Sequence, residues 1–340
     1  MAALLAAMIT TRNRLILLIA IFFVSTSIFW SLRSHRRPGG DSREMQEYVE
    51  SDQSCFYLRS PLTLYLHRGV YHLVKPLGGD GATAMALCSS AAGGVYVLSL
   101  LAISAHPLFL AFNLLAGTSF LFMGHLENYA WVNALLVLYL ALLRRHIERN
   151  APLWPAASVL LLACLFHMLA VFTLPTLALA IWQWHRGRLK PALRIMQEDF
   201  QRVLIVFVVA TLFMALGPLV FQAAGLDNNT QRLVPLFHNP NPTKFFFTMF
   251  APAHFRMLGY FIWKASPLGF PVLLALCWRI RTRYEWFVLG ALGCSLAWEF
   301  VWHPDMGTAD WDLFASFAFP LDILGGLLLI KNKWLRGETA

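Results

Sequence analysis

The chain has 340 residues, of which 58% are hydrophobic and 13% are charged, and its formal net charge is +9. Soluble domains have about 45–50% apolar and about 25% charged residues, so this composition excludes disordered, collagen-like, coiled-coil and soluble two-domain proteins. The basic residues cluster at the ends of apolar segments and form no stripe, which disfavours nucleic-acid binding. The composition therefore predicts an all-α, polytopic membrane protein.

Ten apolar segments predict a transmembrane helical bundle of about ten spans. A helix needs about 20 residues to cross a hydrocarbon core that is about 30 Å thick. The segments are residues 15–32, 82–104, 107–124, 127–143, 154–167, 168–184, 203–224, 258–278, 284–302 and 311–330. Residues 154–184 would form a single helix about 46 Å long, which is longer than one membrane span needs. Divided into two helices, the same residues give segments that are shorter than a normal span.

Clusters of basic residues set the predicted orientation, because Lys and Arg accumulate on the cytoplasmic side of short loops. The clusters lie at residues 144–149, 186–202, 279–283 and 331–336. Placing all four inside requires an even number of crossings between them, which divides 154–184 into two short helices that meet near His167. Both termini are then cytoplasmic in one membrane-embedded domain, 1–340, with the outer loops 33–81, 225–257 and 303–310. Arg33, Arg36 and Arg37 lie outside in this scheme and argue against the orientation of the first helix.

The first outer loop contains a predicted amphipathic helix that begins at Pro61. Apolar side chains recur there at helical spacing, namely Leu62, Tyr65, Leu66, Val70, Leu73, Val74 and Leu77. Basic side chains occupy the other face, namely His67, Arg68, His72 and Lys75. A helix with this pattern lies in the membrane interface rather than across it.

Asp41 is the leading candidate for a catalytic residue. It follows Pro38-Gly39-Gly40, so the carboxylate is displayed where an ordered segment begins after a turn. A carboxylate there can act as a general base on an acceptor hydroxyl, or it can cap a helix by accepting backbone N–H bonds. Glu44, three residues later, fits either a second base or a capping box.

Acids and a histidine at three outer turns are candidates for substrate binding. Glu127 and His167 lie at two tight turns, where a structural role that binds the turn backbone is the alternative. Asp310 and Asp312 flank Trp311, so they can bind sugar hydroxyls or a divalent ion, with the indole as a stacking face. The alternative is a structural role, in which the helix dipole favours the two acids at the start of the helix and Trp311 lies in the membrane interface.

Basic residues of the second outer loop are candidates for binding a phosphate. Guanidinium and ammonium groups bind phosphate well beside lipid headgroups, and interfacial anchoring is the alternative. The loop contributes Arg232, Lys244, His254 and Arg256 to the predicted substrate site. The need for a divalent metal cofactor stays open. The chain has neither an HExxH motif nor a CxxC pair, so no metal ligands are assigned.

Lys264 and Asp322 are the two ionisable residues that we interpret as intramembrane. Unpaired charges are costly in the hydrocarbon core, so we predict that these two side chains pair between helices.

The chain resembles the GT-C superfamily of multi-pass glycosyltransferases, which use polyprenyl-phosphate-linked sugars. The resemblance lies in the layout of a first span, an outer carboxylate soon after it (Asp41), an interfacial helix and many short spans. Three segments are similar to stretches of uncharacterised bacterial GT-C-like proteins, namely His125-Leu126-Glu127-Asn128-Tyr129, Phe166-His167-Met168 and residues 307–315. The chain lacks the soluble C-terminal domain that some larger members carry.

The resemblance implies an inverting sugar transfer at the outer face of the bacterial inner membrane. Asp41 would deprotonate the acceptor while the lipid phosphate leaves, and basic residues, with a metal in some members, would stabilise that phosphate. Glu44 and Glu47 compete with Asp41 for the role of base. The expected partners are the lipid-phosphate sugar donor and membrane lipids.

Two other functional classes stay open. A transporter or flippase would distribute polar residues along its spans and show repeat symmetry, and the sequence has no clear internal repeat. A non-catalytic membrane assembly subunit would not need the outer carboxylates.

Overall fold

The computed structural model describes residues 11–33, 41–51, 60, 62–185, 233–239, 245–304 and 306–331, and this part of the chain is all-α. An isolated bridge between Leu233 and Trp302 is the β-type pairing within it. Its helices are α1 (Thr11–Ser31), α2 (Asp41–Glu50), α3 (Thr63–Val74), α4 (Gly81–Ile103), α5 (Pro107–Leu114), α6 (Tyr129–Arg149), α7 (Trp154–Phe166), α8 (Leu174–His185), α9 (Pro252–Ala265), α10 (Gly269–Leu276), α11 (Arg283–Val301), α12 (Trp311–Phe314) and α13 (Ala318–Ile330).

Four helical segments are long and apolar enough to cross a membrane, which makes the protein a multi-pass helical membrane protein. These segments are Asn13–Ser31, Gly81–Ile103, Tyr129–Arg149 and Gly307–Ile330. A fifth span results if α9 and the helix Gly269–Arg279, which are bent by 97° at their junction, count as one. The prediction of about ten spans is therefore wrong for the described residues, and the predicted span 203–224 lies outside them.

Short helices account for most of the difference. Helix α5 has eight residues and reaches about 12 Å, well short of a hydrocarbon core about 30 Å thick. Residues 154–184 break at His167, as predicted, but α7 and α8 have 13 and 12 residues and are equally too short. Helix α11 has 19 residues, and it carries three charged side chains, Arg283, Glu285 and Glu299.

The fold consists of two compact units. Unit one comprises Met1–Ala105, Ser119–Ala141 and Leu165–His167. Unit two comprises His106–Thr118, Leu142–Cys164 and Met168–Ala340. The single membrane-embedded domain stays a prediction.

In unit one, α1 packs along α4 through small residues. A Cβ atom added to Gly93 would overlap the ring of Phe29, and one added to Gly94 would lie 2.5 Å from Thr26 Oγ1. Small residues let two membrane helices approach closely, so these glycines define the contact line. Most other side chains of α1 are exposed and face lipid in a membrane.

The predicted amphipathic helix is confirmed as α3, but the assignment of its faces is wrong. His67, predicted on the polar face, is 2% exposed, while Leu73 and Leu77 are 74% and 86% exposed. Helix α3 packs on α2 and α4. The buried line follows Thr63, His67 and Tyr71 at i, i+4 and i+8. The interfacial position of the helix stays a prediction.

In unit two, α13 packs against α5, α10 and α11. The pairing predicted between Lys264 and Asp322 is wrong. Lys264 Nζ lies 4.8 Å from the centroid of the Trp311 ring, where a cation–π interaction stabilises it. Asp322 Oδ1 instead accepts a hydrogen bond from the Ser266 hydroxyl, so each side chain has a different partner.

Candidate functional site

The turn that precedes α6 is the structural centre of the candidate site in unit one. Gly124 has a φ of +70°, and a Cβ atom there would lie 2.6 Å from Arg33 Cβ. The backbone N–H of His125 donates to Ser89 Oγ at 3.0 Å, and this hydroxyl donates to the Leu121 carbonyl at 2.9 Å. Glycine and serine thus fix the turn against α4.

Glu127 connects this turn to α2. The Ser42 hydroxyl donates to Glu127 Oε1 at 3.2 Å, and Ser42 is buried whereas Glu127 is half-buried. Asp41 and Glu44 lie in the first turn of α2, and both side chains are exposed. The positive end of the helix dipole favours acids at this position. Asp41 therefore begins an ordered helix, one residue from the contact with Glu127.

Asn128 connects the same turn to the start of α3. Asn128 Nδ2 donates to Ser60 Oγ at 2.8 Å. The Thr63 hydroxyl donates to the Phe166 carbonyl at 2.7 Å, and the Leu62 N–H donates to the Leu165 carbonyl at 3.0 Å. The start of α3 is therefore hydrogen-bonded both to the turn before α6 and to the backbone of residues 165–166.

Two of the segments that carried the family resemblance meet here. His167 is 3% exposed, and its ring packs edge-on against Tyr129 with the centroids 5.3 Å apart. Trp131 stacks on Phe166 with the centroids 5.7 Å apart. The structure thus places Glu127 and His167 in one polar region of unit one, with Asp41 and Glu44 at its edge.

Sequence reasoning missed the neutral members of this region. Ser42, Ser60, Thr63 and Asn128 are buried, and each has a hydrogen bond that joins two segments. Single hydroxyl and amide residues outside apolar spans carry no sequence signal that separates them from ordinary loop residues.

His67 is an uncharged member of the region. Burial lowers the pKa of His67 to about 4, because the imidazolium form would lose its hydration. Helix α3 lies outside the spans, and its buried histidine is therefore neutral at physiological pH.

In unit two, the acids beside Trp311 bind backbone. Asp310 Oδ2 accepts from the Met306 N–H at 2.8 Å, and Asp312 Oδ1 accepts from the Leu313 N–H at 2.9 Å. The two side chains are 6% and 4% exposed. These contacts agree with the helix-starting alternative, while substrate binding by either acid stays a prediction.

The histidines of unit two lie among aromatic rings. His254 Nδ1 donates to the Met249 carbonyl at 2.7 Å, and its ring stacks on Phe247 at 4.8 Å. His303 Nε2 accepts from the Phe246 N–H at 3.2 Å. His254 is 2% exposed and holds the loop in place. Arg256 is exposed on α9, and the other two predicted phosphate ligands, Arg232 and Lys244, lie outside the described residues.

Glu299 is a buried acid that sequence reasoning also missed. It is 1% exposed, and neither carboxyl oxygen has a hydrogen-bond partner within the described part of the chain. An acid flanked by apolar residues of one helix is a detectable signal, since such residues are rare in membrane helices.

Comparisons with known proteins give no family. No protein-family model, no curated protein and no solved structure matches the chain. The resemblance to the GT-C superfamily therefore stays a prediction that rests on the residues themselves.

Proposed function

We propose that the protein is a GT-C-type glycosyltransferase that moves a sugar from a polyprenyl-phosphate donor to a hydroxyl acceptor. The reaction takes place at the outer face of the inner membrane, with both termini in the cytoplasm. The observation that carries the proposal is the hydrogen bond between Ser42 and Glu127. It attaches the first turn of α2, which displays Asp41, to a polar turn at the start of a membrane helix.

The chemistry is a single displacement at the anomeric carbon. Asp41 takes the proton of the acceptor hydroxyl, and the acceptor oxygen forms the new bond to the anomeric carbon. The bond from that carbon to the phosphate oxygen breaks, and the polyprenyl phosphate leaves with the electron pair. Attack opposite to the leaving group inverts the configuration. A base for this step needs an accessible carboxylate, and both Asp41 and Glu44 are exposed.

The exposed face of α3 and of the 3₁₀ turn that follows it, Lys75–Leu77, supports a substrate that is held in lipid. Tyr65, Leu73 and Leu77 are 48%, 74% and 86% exposed, and His72 and Lys75 are exposed between them. Apolar side chains flanked by basic ones favour the boundary between acyl chains and headgroups. The polar turn of unit one would then lie near the depth at which a lipid-linked phosphate lies.

The cations of the second outer loop are proposed as ligands of the donor phosphate. Arg256 is exposed and carries a permanent charge suited to a bidentate contact. Arg232 and Lys244 would add to it. His254 would fix the loop, while Asp310 and Asp312 stay candidates for substrate binding.

A strain that lacks the gene tests the proposal. Envelope glycans and glycolipids are compared by mass spectrometry after complementation with wild type, Asp41→Asn, Glu44→Gln or Arg43→Gln at matched membrane abundance. Arg43 is the control, because its side chain is exposed on the same helix and pairs with Glu47 at 3.3 Å. We expect a sugar-sized mass to disappear on deletion and to return with wild type and Arg43→Gln, but not with Asp41→Asn. If Asp41→Asn restores the mass fully and Glu44→Gln does not, Glu44 is the base; if deletion changes no glycan, the transferase proposal is wrong.

One observation favours a second function, proton-coupled transport. Glu299 and Asp322 are 1% and 2% exposed in unit two, and buried acids of membrane helices often belong to proton pathways. Proteoliposomes with an internal pH-sensitive dye test this function. Proton uptake that Glu299→Gln abolishes supports transport, and no uptake under an imposed membrane potential contradicts it.

A further inference from the structure

Six buried polar atoms of unit one have no hydrogen-bond partner within the described residues, and three of them lie around the start of α3 and α6. These three are His67 Nδ1, Asn128 Oδ1 and Trp131 Nε1, and the others are Thr26 Oγ1, Arg68 Nε and Asn133 Oδ1. His67 and Asn128 are each 2% exposed. Buried polar atoms in folded proteins are nearly always hydrogen-bonded, so this group needs partners that the described side chains do not supply.

The three side chains belong to one contiguous region. Asn128 immediately precedes α6, and Trp131 lies in its first turn three residues later, which places them on nearby sides of the chain. Trp131 stacks on Phe166, and the Phe166 carbonyl accepts from Thr63. His67 follows Thr63 by one helical turn on the buried line of α3.

We infer that His67, Asn128 and Trp131 form a binding site for an uncharged, hydroxyl-bearing ring, such as that of a neutral sugar. A sugar hydroxyl both donates and accepts hydrogen bonds. It therefore satisfies the amide oxygen of Asn128, which accepts, as well as the indole N–H of Trp131, which donates. The neutral imidazole can do either, depending on its tautomer.

The chemistry of the three side chains favours an uncharged ligand over an anion. The three side chains carry no formal charge, because His67 is neutral. Ionised phosphate and carboxylate oxygens only accept hydrogen bonds, so these groups cannot pair with the Asn128 oxygen. The carboxylate of Glu127, the residue next to Asn128, would also repel them.

The Trp131 side chain is half-buried, although its Nε1 atom is not exposed. An aromatic face combined with amide and imidazole groups suits a ring with an apolar face and polar edges. The assignment of this ring to the transferred sugar rests on the proposed function. It deepens that function by naming an uncharged sugar as the substrate class.

Saturation-transfer NMR with the full-length protein in lipid nanodiscs tests the site without turnover. The probes are methyl glucoside, methyl mannoside and methyl galactoside as neutral rings, and methyl glucuronide as the anionic ring. We expect at least one neutral glycoside to receive saturation from wild type and the glucuronide to receive none. His67→Phe and Trp131→Phe each remove one hydrogen bond, and we expect either change to weaken binding about fivefold.

Asn133→Leu is the matched control. Asn133 is buried in α6, and its Oδ1 atom likewise has no hydrogen-bond partner among the described residues. Five residues turn a helix through about 140°, so Asn133 lies on a different face from Asn128. We expect Asn133→Leu to bind like wild type and His67→Phe to keep the wild-type melting temperature, since a phenyl ring needs no partner. The inference is overturned if no neutral glycoside binds, which leaves ordered water as the partner of these atoms. It is equally overturned if both Phe variants bind like wild type or if the glucuronide binds as well as the neutral rings.

The outcome is separable from that of the proposed function. Glycoside binding that depends on His67 and Trp131 stands even if deletion of the gene changes no glycan. Loss of a glycan on deletion stands even if no glycoside binds.

Discussion

Ser42 and Glu127 are 85 positions apart in the chain, and the Ser42 hydroxyl donates to Glu127 Oε1 at 3.2 Å. This bond joins the short acidic helix α2 to the turn that opens the membrane helix α6. The proposed base, Asp41, adjoins Ser42, and the proposed sugar site begins at Asn128, which adjoins Glu127. The hydrogen bond therefore connects the proposed base to the proposed sugar-binding site within unit one.

Removal of the Ser42 hydroxyl tests this link. We expect Ser42→Ala to lower the amount of transferred sugar several-fold, because the first turn of α2 loses its attachment. The free energy of unfolding should fall by only about 1 kcal/mol, the usual loss for one hydrogen bond. Glycan mass spectrometry and thermal melting of the purified protein measure the two effects. Equal glycan levels in Ser42→Ala and wild type would show that the bond has no role in transfer.

The buried His67 predicts a dependence of stability on pH. The pKa of His67 is about 4 in the folded protein, whereas an ordinary histidine has a pKa of 6.5. Between these two pH values the unfolded chain binds a proton at His67 that the folded protein does not bind. Stability from this residue is present above pH 6.5 and is lost as the pH falls toward 4. At pH 5 the loss is about 2 kcal/mol. We expect the melting temperature to fall between pH 7 and pH 5 by more in wild type than in His67→Phe, and equal falls would contradict the assignment.

Gly117 permits a close backbone approach in unit two. A Cβ atom there would overlap the Lys264 carbonyl oxygen, which is backbone and cannot rotate away. We expect Gly117→Ala to destabilise the protein by about 1–3 kcal/mol, as overpacking does.

Gly69→Ala is the control for this change. Gly69 lies exposed in α3, and a Cβ atom there meets nothing within 4 Å. We expect Gly69→Ala to raise stability by up to about 1 kcal/mol, the difference in helix propensity. Thermal melting in detergent compares the two, and a Gly117→Ala protein as stable as wild type would show that the backbone approach is not tight.

Long, uninterrupted apolar runs were predictable from the sequence. The runs 15–32, 82–104, 127–143 and 311–330 have matching candidate spans at 13–31, 81–103, 129–149 and 307–330. The run 107–124 does not, because its helix α5 ends at Leu114 and a 3₁₀ segment begins at Gly117. Apolar content alone does not reveal such breaks.

The faces of α3 and the partner of Lys264 were not predictable. Periodicity identifies an apolar face, but in a membrane protein that face contacts either the core or lipid, and here Leu73 faces outward while His67 is buried. The Lys264 ammonium group lies over the Trp311 ring rather than beside an acid, and this contact depends on side-chain positions that the sequence does not give. Glu127 and His167 were identifiable because an ionisable residue between apolar runs needs a reason to be there.

We propose that the protein transfers a sugar from a polyprenyl-phosphate donor with Asp41 as the base. The most direct test is to measure the level of this lipid-linked donor. Lipid extracts of the deletion strain complemented with wild type, Asp41→Asn or Arg43→Gln are analysed by mass spectrometry at matched membrane abundance. We expect a polyprenyl-phosphate monosaccharide to accumulate with Asp41→Asn and to stay at the wild-type level with Arg43→Gln. Equal levels of every such lipid in all three strains would contradict it.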